Sequence, residues 1–272
     1  MTSCRRLLAA CLACGTIALG RPVLAVDNTE LAKAAQNPLA SMISLPFQNN
    51  TNYHVGPKRD TQNVLNIQPV YPVSLNTDWN LITRTIVPLI SQPGSGFGTD
   101  RTNGLGNVQF SAFLSPAVSE GWVWGVGPII QAPTATSDRL GTNSRWGLGP
   151  TAVALRLSKT SPFVYGALVN NVQSVGGGSG PDFNQMLIQP FVNYNFPQHP
   201  GRYLSFSPVI TANWKAHGDE RWTVPIGLGI GQIFRIGQLP INAQVGAYKN
   251  IERPTGASDW TLRLQVQLMF PK

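Results

Sequence analysis

The chain has 272 residues and a formal net charge of +8, and 12% of its residues are charged whereas 42% are hydrophobic. This charged share is about half the usual one, and the length suits one domain or one barrel. The basic residues are scattered and have no interleaved aromatics, which excludes a nucleic-acid interface and leaves no nucleic acid among the expected partners.

The N-terminus has the pattern of an export signal. Arg5 and Arg6 precede a stretch of small apolar residues, and residues 23–25 form an acceptable cleavage site. Residues 1–25 are therefore predicted to be a cleaved signal peptide. A lipoprotein signal ending at Cys11 is the alternative, but the apolar stretch before this cysteine is short for a signal core. Cleavage after residue 25 removes all three cysteines and three arginines, which lowers the formal charge from +8 to +5.

Residues 26–38 are predicted to form a short N-terminal periplasmic segment. It contains a helical stretch that stops at Pro38, because proline cannot continue a helix. The favoured interpretation is a frayed terminus of the exported chain. The alternative is a small plug or a periplasmic cap.

Residues 39–272 alternate between apolar and polar residues in segments of about 10–13 residues, a length that suits tilted membrane strands. The last segment, 259–270, shows this most clearly. Leu264 and Val266 share one face of the strand and Arg263 and Gln265 share the other. About twelve strands are predicted, near 41–54, 62–75, 79–91, 105–116, 121–133, 146–158, 162–174, 184–195, 202–214, 222–234, 240–249 and 259–270.

Tight turns and longer connections alternate between these strands, as periplasmic turns and extracellular loops do in outer-membrane barrels. The tryptophans lie beside these connections and predict two aromatic girdles. They are Trp79, Trp122 and Trp124 beside tight turns, and Trp146, Trp214, Trp222 and Trp260 beside long loops. The pattern predicts an all-β fold. The predicted architecture is a closed antiparallel transmembrane β-barrel of about 12 strands with a short N-terminal helical segment. The barrel is expected in the outer membrane of a Gram-negative bacterium, in contact with its lipid.

Several prolines inside the predicted strands conflict with this fold, because proline removes a donor from the hydrogen-bond ladder. The two G-x-G-P segments at 125–128 and 147–150 are expected to be bulges that accommodate two of these prolines. The remaining prolines have no explanation in the sequence.

Turn and girdle segments carry a resemblance to a known family, and they cover nearly all of the chain after the signal. They are N-P at 37–38 with S-L-P-F-Q at 44–48, W-N-L-I-T-R-T at 79–85, G-V-G-P at 125–128, P-T-A-T at 133–136, Q-P-F-V-N-Y at 189–194 and F-P at 270–271. The chain resembles the bacterial outer-membrane transporter family labelled meta-pathway of phenol degradation. The resemblance implies an outer-membrane barrel and a channel for small compounds, aromatic ones included, but it specifies no solute.

The positions that parity assigns to the lumen are rich in amides, and acidic residues fall in turns, loops or strand ends. Arginines without lumen carboxylates would make the interior electropositive and favour anions or electron-rich neutral solutes. The alternative is that the arginines satisfy carbonyl and amide groups in a filled interior. A barrel of about 12 strands lies between eight-stranded barrels, which side chains fill, and 16-stranded barrels, which enclose an open channel. The candidate residues of the solute path are Arg84, Arg156, Arg263, Gln68, Gln189, Asn193 and Gln265.

The predicted function is therefore passive passage of small-molecule solutes through a polar, weakly cationic lumen. Barrel-assembly machinery is expected to contact the C-terminal strand, 259–270. The first alternative is a membrane-embedded lipid hydrolase with His54 as its only candidate base. The second is a closed structural or adhesion barrel displayed through its Gly-rich loops. No enzyme activity, cofactor or metal is expected, because the histidines are too scattered for metal-ligand spacing.

Overall fold

The structure is a computed structural model that describes residues 27–96, 98–119, 121–141, 144–158, 160–176, 178 and 180–271. The predicted signal peptide lies outside these residues. No helix in the described part of the chain is long and apolar enough to cross a membrane. Helix α1 (Asn28–Ala35) precedes the strands, and a 3-10 turn (Gly218–Glu220) lies in one of the loops.

Twelve strands follow α1, and three of them are interrupted. They are β1 (Ile43–Val55), β2 (Asp60–Ile67 and Val70–Ser74), β3 (Trp79–Gln92), β4 (Thr102–Leu105 and Gln109–Pro116), β5 (Trp122–Gln131), β6 (Trp146–Arg156), β7 (Phe163–Val175), β8 (Asn184–Asn195), β9 (Arg202–Phe206 and Ile210–Asn213), β10 (Trp222–Ile236), β11 (Leu239–Glu252) and β12 (Trp260–Phe270).

Each strand pairs antiparallel with its neighbours in the sequence, and β12 pairs back with β1, so the sheet is closed. In this closing pair Leu45 lies opposite Leu268 and Asn50 lies opposite Arg263. A closed sheet leaves no unpaired edge, which is the condition for strands to cross a bilayer. The prediction of a closed antiparallel barrel of about 12 strands with a short N-terminal helix is confirmed.

The outward face of the barrel is apolar. In β12, Leu264 and Val266 are 48% and 44% exposed, whereas Arg263 and Gln267, on the other face, are 8% and 6% exposed. Exposed apolar side chains also follow one face of β10, where Ile226 is 52% exposed. A continuous apolar surface of this kind suits acyl chains and not water. The molecule is therefore a protein of the bacterial outer membrane.

Two aromatic girdles border this apolar belt. At the end with the tight turns, Trp79 contacts Trp124 edge to face with ring centroids 6.1 Å apart. At the end with the long loops, Trp214 contacts Trp222 in the same way at 5.6 Å. The girdles predicted from the tryptophan positions are thus present. We call the end with the tight turns periplasmic and the other end extracellular, following the usual asymmetry of such barrels.

The prolines are accommodated where the ladder is interrupted. Pro69 and Pro208 lie at the breaks in β2 and β9, and the register shifts beside Pro225. Pro128 of β5 lies directly opposite Pro150 of β6. Each of these two strands also pairs with a second neighbour, β5 with β4 and β6 with β7. At the proline, each of these ladders skips two positions without a change of register. The G-x-G-P segments are therefore gaps in the ladder, and the prediction that they are bulges is wrong.

Candidate functional site: the lumen and its plug

Residues 28–42 lie inside the periplasmic end of the barrel, and we call them the plug. In α1, Leu31 and Ala32 are 1% and 0% exposed and belong to one buried cluster with the barrel residues Tyr203 and Ile233. An Ala-rich helix with one buried side can dock in this way because small residues allow close approach of the backbones. The packed helix differs from the favoured interpretation of this segment as a frayed terminus. That the segment acts as a plug, which is the alternative, stays a prediction.

Polar contacts fix the plug as well. The Lys33 ammonium group donates a hydrogen bond of 2.9 Å to the backbone oxygen of Ser158. The side chains of Gln36 and Asn195 exchange two hydrogen bonds of 2.9 and 3.2 Å. Lys33 is 7% and Asn195 is 3% exposed. Both contacts replace hydrogen bonds to water that these groups lose on burial, so the docked position of the plug is specific.

The periplasmic half of the lumen is apolar, which differs from the polar lumen that the sequence predicts. Leu39 of the plug is 5% exposed and lies at the centre of this region. Around it are the inward side chains of five strands: Ile82, Phe113, Val153, Leu155, Val164, Leu168 and Phe191. These apolar side chains point inward and are buried against the plug and one another, not against lipid.

A cavity of about 170 Å³ lies next to the plug, and residues 34–38, 40 and 42 form one of its walls. Five of the seven predicted solute-path residues line it. They are Arg84, Gln68, Gln189, Asn193 and Gln265. We call this space the central cavity. The sequence pattern thus identifies five residues of the cavity wall, although it does not indicate that the plug forms one side of the cavity.

Arg84 is the only charged side chain among the described residues that line the central cavity. Its guanidinium group donates a hydrogen bond to Oε1 of Gln68. A guanidinium group carries five N–H donors, and this is its one hydrogen bond to the described part of the chain. The remaining donors are available to a molecule in the cavity.

Arg263 lies outside the central cavity and is held on several sides. Its Nε donates a hydrogen bond of 3.0 Å to Asn50, and its Nη1 donates one of 2.9 Å to the backbone oxygen of Ser207. The guanidinium carbon lies 4.6 Å from the centroid of the Tyr248 ring, within cation–π range. Arg263 points inward as predicted, and its contacts also match the alternative in which lumen arginines satisfy carbonyls and amides.

Arg156 is not a lumen residue of its strand. It is exposed and lies on the outward parity of β6, whereas its neighbour Leu155 is fully buried inside the barrel. Its guanidinium carbon lies 6.0 Å from the Trp122 ring, at the periplasmic rim. There it borders a cavity of about 650 Å³ that also contacts Lys33 of the plug. The prediction that Arg156 points into the lumen is wrong.

Neither of the two lumen arginines, Arg84 and Arg263, has a salt-bridge partner among the described residues. The described aspartates and glutamates lie outside the strands or, like Asp60 and Glu252, at a strand end. The nearest carboxylate of the plug, Glu30, is exposed at the periplasmic mouth. That these arginines make the lumen electropositive stays a prediction.

A charged cluster at the extracellular end holds the candidate base His54. Nδ1 of His54 lies 2.9 Å from Oδ2 of Asp259, and Arg59 donates a hydrogen bond of 2.6 Å to the same oxygen. Arg253 forms an ion pair with the other oxygen. These contacts lower the pKa of Asp259 to about 2, mainly through the hydrogen bonds from Arg59 and His54.

The candidate base His54 contacts a carboxylate in this cluster. Among the described residues it has no hydrogen bond to a serine, threonine or tyrosine hydroxyl. The Asp259 carboxylate is shared with two arginines, and the cluster therefore joins loops. The part of the chain that the structure describes also contains no group of three or more His, Cys, Asp or Glu side chains that could hold a metal ion.

No protein-family model matches the chain, and no curated protein matches it. Among solved structures, it is similar to an outer membrane channel from Pseudomonas putida F1. The two share 18% identity with a TM-score of 0.61, over 84% of this chain and 94% of that one. The chain has the fold of an outer-membrane channel. The resemblance to the phenol-degradation family remains a resemblance, since no family model supports that label.

Two further solved structures are similar at a lower level. One is a bacterial polysaccharide outer membrane secretin, with 12% identity and a TM-score of 0.43 over 85% of this chain and 99% of that one. The other is outer membrane phospholipase A from Escherichia coli, with 14% identity and a TM-score of 0.43 over 91% and 99%. At these TM-scores neither likeness carries an argument about function.

Proposed function

We propose that the protein is an outer-membrane channel for passive passage of small anionic solutes, and that the plug limits the size of the solutes that pass. The observation that carries the proposal is the pair of lumen guanidinium groups, Arg84 and Arg263, which have no salt-bridge partner among the described residues.

The physical reason is electrostatic. A unit charge 4 Å from a counter-ion contributes about 1 kcal/mol in bulk water and about 4 kcal/mol at an effective dielectric constant of 20. A narrow protein lumen lies between these limits. Fixed positive charges there lower the free energy of an anion and raise that of a cation, so the lumen selects by charge.

The cavities of the barrel support passage on both sides of the plug. A cavity of about 620 Å³ lies among the extracellular loops, and one of about 650 Å³ lies beside the plug at the periplasmic end. The central cavity between these ends is smaller, at about 170 Å³. The plug forms one wall of the central cavity, so a shift of the plug would enlarge it.

The test is chloride influx into proteoliposomes that contain a chloride-sensitive dye, with valinomycin and potassium to balance charge. We expect the mature protein to admit chloride faster than protein-free liposomes do. The double variant Arg84→Gln and Arg263→Gln should slow influx, because it removes both charges and keeps a polar side chain at each position. Arg202→Gln is the matched control, since Arg202 is exposed and contacts Gln232 away from the lumen.

Two results would contradict the proposal. Chloride influx at the rate of protein-free liposomes would rule out passive passage as the function and favour the closed structural or adhesion barrel. Influx that the double variant and the control change equally would show that the solute path does not depend on the lumen arginines.

A further inference from the structure

The central cavity has the composition of a ligand site. Asn193 is 4% exposed, lines the cavity, and its side chain makes no hydrogen bond to the described residues. Because no polar atom of this side chain is both enclosed and unpaired, the Asn193 amide is open to the cavity and can exchange hydrogen bonds with a molecule there. Gln265 and Gln244 also line the cavity without a side-chain hydrogen bond to the described part of the chain. One buried and two partly buried amides therefore line one small space.

Among the described residues that line this space, the only charged side chain is positive. Arg84 lines the cavity and uses one of its five donors on Gln68, which leaves the others without a partner among the described residues. A guanidinium fork matches the two oxygens of a carboxylate. One unbalanced positive charge matches one negative charge, and it favours a monoanion over a dianion such as hydrogen phosphate.

The rest of the wall is divided into two kinds of surface. Val70, Leu168 and Phe191 supply apolar contacts. The amides supply both donors and acceptors, which suit a hydroxyl or carbonyl group. The size is also restrictive, since an apolar cavity of about 150 Å³ holds one benzene molecule and this one measures about 170 Å³.

We infer that the central cavity is a binding site for a short-chain monocarboxylate that carries a hydroxyl or keto group. Arg84 binds the carboxylate, Asn193 and the neighbouring glutamines bind the second polar group, and the apolar wall contacts the carbon chain. The inference deepens the proposed function, because it names the class of anion that pauses in the lumen.

The test measures binding without transport, on the detergent-solubilised mature protein by titration calorimetry. L-Lactate is the probe, and we expect saturable binding of one lactate per chain. Lactamide has the same shape without the charge, and propionate keeps the charge without the hydroxyl. Each should bind at least about tenfold more weakly than lactate does, because each leaves polar groups of the cavity unpaired.

Variants locate the site. Arg84→Gln should weaken lactate binding about tenfold or more, and Asn193→Leu should remove the preference for lactate over propionate. Arg202→Gln should bind as the wild type does. Thermal unfolding of each variant, followed by circular dichroism, separates loss of the site from loss of the fold.

Three results would overturn the inference. They are no saturable lactate binding, equal binding of lactate and lactamide, and binding that neither Arg84→Gln nor Asn193→Leu changes. Tighter binding of inorganic phosphate than of lactate would overturn the choice of a monocarboxylate. Because chloride influx is measured separately, a protein that conducts chloride but fails these tests would retain the proposed function and lose only the ligand class.

Discussion

The docking of the plug predicts that a single buried leucine controls how far the channel opens. Leu31 is 1% exposed in the cluster that joins α1 to the barrel. Leu31→Ala removes this packing and leaves a cavity, which typically costs about 2–5 kcal/mol in a core. Alanine is at least as good a helix former as leucine. The helix itself is therefore not weakened, and the loss falls on its contact with the barrel.

The expected magnitude follows from this cost. A loss of about 2 kcal/mol raises the undocked population about 30-fold, since about 1.4 kcal/mol is a factor of ten. Single-channel recording in planar bilayers should therefore show longer or larger open states for Leu31→Ala than for the wild type. Thr29→Ala, on the partly exposed side of the same helix, should behave as the wild type. Unchanged open states in a folded Leu31→Ala barrel would refute the role of the plug.

Three further predictions test the faces, the strand spacing and the loops. Val266→Arg should lower the free energy of unfolding in lipid vesicles by about 2–4 kcal/mol, whereas Gln265→Arg, which faces the lumen, should cost much less; equal losses in urea titrations would contradict the assigned faces. Gly149→Ala should destabilise the barrel, because its added Cβ would lie 1.6 Å from a carbonyl oxygen of the neighbouring strand, whereas Gly96→Ala meets nothing within 4 Å and should be neutral in the same titration. Asp259→Asn should speed amide hydrogen exchange in the loops around residues 56–59 and 253–258. In the wild type this exchange, corrected for its intrinsic pH dependence, should stay slow down to about pH 4 and rise only as the pH falls toward 2. The reason is that the pKa of Asp259 is lowered to about 2, and the stabilisation that a lowered carboxyl pKa provides is lost on protonation. Faster exchange between pH 8 and 5 would show that the carboxylate does not hold the loops.

The strands and girdles could be predicted from the sequence because their signals are local. A period of two, a turn every dozen residues and tryptophans at the segment ends each follow from neighbouring residues. In β12 the two faces also differ sharply, so Arg263 and Gln265 could be placed inside without knowledge of any other strand.

The error at Arg156 has a physical cause. In β6 both faces are apolar, with Val153 and Leu155 inward and Ala152 and Ala154 outward. Alternation then shows no contrast in polarity between the two faces. The sequence therefore cannot tell on which face Arg156, the polar residue at the strand end, lies. The inward face is apolar because the plug packs against it, and that contact joins residues far apart in the sequence. The docking of α1 could not be predicted for the same reason, since its partners Tyr203 and Ile233 come from distant strands.

The most direct test of the central claim is the reversal potential of the refolded mature protein in a planar bilayer under a potassium chloride gradient. The lumen arginines predict stable conducting steps and a reversal potential shifted toward the equilibrium potential of chloride, with a smaller shift for Arg84→Gln. A folded barrel without conductance, or one whose reversal potential lies toward that of potassium, would contradict a channel for small anions.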